Sequence, residues 1–160
     1  MHIKRMSIIA RAAAVVALGL LSLAECAWGQ SNCKQAKGDS ESVAVGSGPA
    51  SGTITNGGDL NGTFLDVFNS GAFPTPDPMI VSFGGDVTIT TNRGVLKASA
   101  VHFFDFTNAV VSGQLRINPA TSTGRFAGAT GFLFLTGVST LTSPFINHLE
   151  ISGQICYAGI

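Results

Sequence analysis

The chain has 160 residues, of which 45% are hydrophobic and only 11% charged, and nine basic and nine acidic side chains cancel. Soluble domains carry about 25% charge, so no cationic excess exists to neutralise phosphates, and nucleic-acid binding is excluded. Intrinsic disorder, which needs low hydrophobicity and high net charge, is excluded as well.

Lys4, Arg5 and Arg11 come before an apolar run from Ala12 to Leu23. A positive segment, a short apolar stretch and then small residues make the pattern of a secretory signal peptide. The run is too short for a membrane span, which takes about 20 apolar residues. Ala27-Trp28-Gly29 sets small residues at −3 and −1, so residues 1–29 are the predicted signal peptide and Gln30 begins the mature chain. Leu23-Ala24-Glu25-Cys26 is a weaker, lipoprotein-type alternative, because Glu25 occupies the place of a small residue.

Cleavage removes Lys4, Arg5, Arg11 and Glu25, three of nine basic and one of nine acidic residues. The mature chain then has six basic and eight acidic residues, a net charge of −2, which is too small to steer a partner. Cys26 leaves too, and three cysteines become the pair Cys33 and Cys156. In an oxidising compartment, periplasmic or extracellular, that pair reads as a disulfide closing almost the whole mature chain into one loop. Two unpaired buried thiols are the alternative. Two cysteines with no second pair or His cluster do not make a metal site, and neither metal nor cofactor is expected.

Residues 30–50 are polar and read as an N-terminal strap, with a β-domain over 51–160. Within that domain no sustained 3.6-residue apolar stripe occurs; β-branched and aromatic runs of about ten residues are cut by Gly, Asn, Asp and Pro. Strands are predicted at 51–55 and 62–69, followed by a loop over 70–78 whose three prolines bar it from a central strand. Over 79–91 the apolar residues fall on alternate positions, and Gly84-Gly85 marks a bend or bulge. Asn92-Arg93-Gly94 is a hairpin turn, and the returning strand sets Leu96, Ala98, Ala100, Phe104 and Phe106 on one face. Val111, Leu115 and Ile117 continue the inward pattern on the next strand. Phe132–Leu135 is apolar on both faces, and the last strand sets Phe145, Leu149, Ile151, Ile155 and Tyr157 opposite His148, Glu150 and Cys156.

Seven or eight strands joined by short turns predict an all-β fold, a single antiparallel up-and-down barrel of about eight strands, closed to remove its edges. Such a barrel has an interior filled by side chains or holding one small ligand. An outer-membrane barrel needs aromatic girdles, and one Tyr with no Trp beyond Trp28 does not supply them. No membrane span is expected in the mature chain.

Thr123-Gly124-Arg125-Phe126-Ala127-Gly128-Ala129-Thr130-Gly131 resembles the glycine signature of dirigent proteins and allene oxide cyclases, and more closely that of secreted bacterial barrels sharing their fold. The broader layout over about residues 51–158 is similar, with Ser122 standing where the signature has its first glycine. The resemblance implies an eight-stranded barrel and, from the plant relatives, oligomeric assembly. Read physically, Gly124, Gly128 and Gly131 permit positive φ and close backbone approach, while Phe126 plugs the core and Arg125 sits beside it.

Catalytic equipment is thin. Strand parity places His102 on the apolar face, and Asp66 lies between Phe64 and Phe68 at period two. A lumenal pair of this kind offers a general base and its orienting carboxylate, or simply a satisfied polar pair in the core. His148 and Glu150 share a solvated face, and Gly57-Gly58-Asp59-Leu60-Asn61 is one unrepeated calcium-like loop. Two readings follow. In the first, a secreted non-enzymatic barrel binds a small hydrophobic ligand or a partner subunit, including a second copy of itself. In the second, an isomerase- or dirigent-like protein steers a reactive molecule in the lumen with Asp66 and His102.

Overall fold

Period-two burial along β-branched and aromatic runs gives nine strands in the computed structural model, which describes residues 32–159. The predicted signal peptide, 1–29, lies outside the described residues. The first strands are β1 (Cys33–Ala44), β2 (Ala50–Thr55), β3 (Gly62–Phe68) and the two-residue β4 (Phe73–Pro74). Then come β5 (Ile80–Thr91), β6 (Gly94–Asp105), β7 (Val110–Ile117), β8 (Thr130–Ser139) and β9 (Phe145–Cys156). Two 3-10 turns, Gly58–Leu60 and Gly124–Phe126, interrupt the connections.

Each strand pairs antiparallel with its neighbours in the order β3-β2-β1-β9-β8-β7-β6-β5, and a further β3–β5 pairing closes the ring. Eight strands therefore form a closed barrel, with β4 added to the edge of β5 beyond the end of β3. Closure gives each of the eight barrel strands a ladder partner on both sides, so none of them is an edge strand. No helix among the described residues is long and apolar enough to cross a membrane.

Two expectations are corrected. The expected strap over 30–50 contains β1, which pairs along its whole length with β9 and with β2 over Asp39–Ala44. Its inward positions are Ala36, Gly38, Ser40, Ser42 and Ala44, small residues that alternate with Lys37, Asp39, Glu41 and Val43. The period is that of a strand, but it is written in side-chain size rather than hydrophobicity. Of the expected bend or bulge at Gly84-Gly85, the bulge is absent: the β5–β6 register runs through both glycines unbroken, and the β3–β5 register ends at Gly85. Those glycines make room instead, as described below.

Cys33 and Cys156 stand directly opposite on β1 and β9 and are joined by a disulfide across 123 residues of chain. The bond pins the seam where the first and last strands meet. In the chain-entropy account, a loop of ~100 residues is worth about 4.7 kcal/mol against the unfolded chain. Replacing both cysteines by serine is expected to lower the unfolding free energy by about 2–5 kcal/mol in urea titrations. A midpoint equal to that of the oxidised parent would show that β1–β9 pairing holds the seam unaided.

Candidate functional site

One end of the barrel is solid. Leu96, Leu115, Leu133, Ile155 and Phe126 are fully buried there. Phe126 reaches this core because the 3-10 turn that carries it lies against the β5–β6 hairpin, with the Arg125 N–H donating to the Arg93 carbonyl at 2.8 Å. Gly124 makes that approach at φ +61, and a Cβ on it would lie 2.4 Å from the Arg93 carbonyl oxygen. Ser122, at the departure from the glycine signature, has a structural task. Its hydroxyl accepts from the Lys97 N–H at 3.0 Å and donates to the Asn118 carbonyl at 2.8 Å. Gly128 donates to the Pro119 carbonyl, and Gly131 pairs with Ile155 at the start of β8.

Asp59 ties this end together. Its carboxylate takes the Arg93 guanidinium at 2.9 Å, Arg125 Nε at 2.9 Å and the Tyr157 hydroxyl at 3.0 Å. The Arg125 guanidinium also lies over the Tyr157 ring, 4.9 Å from its centre. Burial works against the Asp59 charge, but the Tyr157 bond and the two guanidiniums outweigh it and hold the carboxyl below its ordinary value of 3.8. Burial, then the Asp59 bond and charge, push the Tyr157 hydroxyl above 10.0. The calcium-like residues around Asp59 thus have a different use: the carboxylate is occupied by cationic and phenolic partners.

The other end is hollow. A cavity of about 820 Å³ is lined by the C-terminal halves of β3 and β6, the N-terminal halves of β5 and β9, and the 69–72 and 46–47 loops. Phe64, Phe68, Phe83, Phe104, Phe106 and Phe145 are the largest side chains of its wall. On β1 and β2 the wall is made by Ser42, Ala44 and Ala50, whose small side chains leave the volume unfilled.

Asp66 and His102 stand at this wall, 3% and 2% exposed. Strand parity sends both inward, and His102 Nε2 lies 2.9 Å from Asp66 Oδ2. The approach is close but poorly aligned, for neither Nε2 nor Asp66 Oδ1 has a hydrogen-bond partner. The His102 ring stacks on Phe83, its cross-strand neighbour, with ring centres 5.2 Å apart, and meets the edge of Phe68 at 6.4 Å. Two glycines seat the pair. A Cβ on Gly113, opposite His102, would come within 2.6 Å of Nδ1, and one on Gly85 within 2.4 Å of Asp66 Oδ1. Neither glycine was legible as part of a site, since a strand glycine reads as a bend. The only signal was the parity that aims them at the same lumen.

His148 is a surface residue, its Nδ1 3.5 Å from Glu41 with both side chains well exposed. On the outer face Phe132 and Phe134 are 41% and 42% exposed with their rings 5.4 Å apart, paired across the ladder with Arg116 and Gln114 of β7. No known protein family, curated protein or solved structure matches the chain. The functional reading therefore rests on the barrel and its cavity.

The Asp59 cluster sets the pH limits of the closed end. A carboxyl with a lowered folded value contributes stability above its unfolded value and loses it as pH falls through the folded one; a raised hydroxyl loses its contribution as pH rises through the folded value. Stability is therefore expected to decline below about pH 4 and above about pH 10. Asp59→Asn is expected to cost about 1 kcal/mol at neutral pH. In urea titrations at stepped pH, the gap between parent and variant should close on the acid side. A gap constant across that range would remove Asp59 from the balance.

Proposed function

We propose that the mature chain is a secreted, disulfide-stapled barrel that binds a small hydrophobic molecule in its open end. The observation that carries this reading is the phenylalanine-walled cavity of about 820 Å³. Its size falls within the roughly 300–1,000 Å³ of small-molecule sites, and apolar walls with a few placed polar groups are their usual make-up. A cavity of this size inside an eight-stranded barrel also departs from the side-chain-filled interior of the smallest barrels. The disulfide and the predicted signal peptide support an oxidising compartment. The closed meander and the glycine signature at 124–131 support kinship with the allene oxide cyclase and dirigent barrels.

A second reading is favoured by one observation, the Asp66–His102 pair at the cavity wall. In that reading the lumen steers a reactive molecule, with His102 as base and Asp66 orienting it. The exposed Phe132–Phe134 patch is proposed as the face for a second copy of the chain.

The neutral fluorophore N-phenyl-1-naphthylamine is expected to bind the purified oxidised protein at one site per barrel with micromolar affinity. Ala44→Phe, at the wall of the cavity, should weaken that binding at least tenfold while thermal unfolding stays cooperative. No uptake of the fluorophore by the parent overturns the binding reading. For export, the N-terminal residue of the protein recovered outside the cytoplasm of its host should be Gln30; a retained Met1 would refute the cleaved signal.

A further inference from the structure

The chemistry of the cavity wall is lopsided. Six phenylalanines face it, no lysine or arginine does, and Asp66 is its one carboxylate. The other wall groups able to orient a ligand are largely engaged. Asn147 donates to Ser42, Asn69 donates to Asp86, and the Ser70 and Ser143 hydroxyls accept backbone N–H bonds. At Asp66, one oxygen faces His102 off-line and the other has no partner at all. A carboxylate accepts and never donates, so what it lacks is a donor. Phenylalanine faces carry negative quadrupole density, which attracts a cation brought out of water. A ligand anion would meet the same carboxylate with no lysine or arginine among the described residues of the wall to offset it.

We infer that the cavity selects an apolar amine, its ammonium group at Asp66 among the phenylalanine rings and its hydrocarbon body filling the hollow end. This rests on the reading of the cavity as a ligand site and adds the charge and donor character of the ligand. Gly85 fits the assignment, for its missing side chain gives Asp66 Oδ1 the room it occupies at the wall. His102, stacked on Phe83, flanks the carboxylate on one side.

Three rigid probes with one hydrocarbon body separate the possibilities: 1-aminoadamantane, 1-adamantanol and adamantane-1-carboxylate, each titrated against bound N-phenyl-1-naphthylamine near neutral pH. The amine is expected to bind at least tenfold more tightly than the alcohol, and the carboxylate more weakly than both. In Asp66→Asn the preference for the amine over the alcohol should be lost. Asp66→Glu should restore part of the preference. An amine no better than the alcohol in the parent protein overturns the inference, including the case in which neither displaces the fluorophore. That comparison needs no variant to fold. An amine preference that survives in Asp66→Asn also overturns it. Failure of the fluorophore itself to bind the parent overturns the ligand-site reading and this inference together.

Discussion

The pairing of β1 with β9 is the constraint on which the rest of the molecule depends. Without it the chain is an open sheet from β1 round to β9, with two long unpaired edges and a core exposed along one side. With it the sheet becomes a tube, and every inward residue acquires neighbours across a lumen as well as along its own strand. The register that aligns Cys33 with Cys156 also aligns Ala44 with Phe145 at the other end of the same seam. The cross-link and the mouth of the cavity are thus opposite ends of one ladder. Backbone hydrogen bonds make this closure, so the sequence of β1 is free to be small and polar.

That freedom decides where the barrel is hollow. An eight-stranded tube has an interior about wide enough for its own side chains, and its filling depends on their sizes. At the closed end Phe126 enters from outside the strands and completes a core of leucines and isoleucines. The Asp59 cluster then fastens the 58–60 turn, the β5–β6 hairpin, the glycine turn and Tyr157 over it. At the open end the phenylalanines of β3, β5 and β6 face Ser42, Ala44 and Ala50, and no other described residue enters to fill the difference. Cavity and plug follow from one rule, large residues opposite large at one end and large opposite small at the other.

The same rule explains what was legible in the sequence. Strands β5 to β9 show their period because their inward residues are large and apolar, and the parity that placed Asp66 and His102 inward is the same signal. β1 hid because serine, glycine and alanine carry no hydrophobic contrast with lysine and glutamate, although they carry a contrast in volume. Asp59 hid for another reason. Its partners Arg93, Arg125 and Tyr157 come from the β5–β6 hairpin, the glycine turn and the segment after β9, and only the closed tube brings these to one rim. Ser122 looked like a flaw in the glycine signature, and its hydroxyl proves to bridge two backbone strands.

The Asp66–His102 pair is harder to derive from stability. Burying a carboxylate beside an imidazole costs several kcal/mol in desolvation, and replacing such a pair with apolar residues of like volume is often neutral or stabilising by about 1–4 kcal/mol. Here the cost is raised further, because Gly85 and Gly113 each give up a side chain to seat the pair, at about 0.5–1 kcal/mol apiece relative to alanine in a strand. Closure does not need these residues, since the backbone ladder supplies it. The core does not need them either, for the solid end is built without a buried charge. The pair sits in the one part of the lumen where a guest has room to meet it, with a carboxylate oxygen left unpartnered. A polar group placed at a net cost beside unfilled space is better accounted for by what enters that space than by the fold that surrounds it.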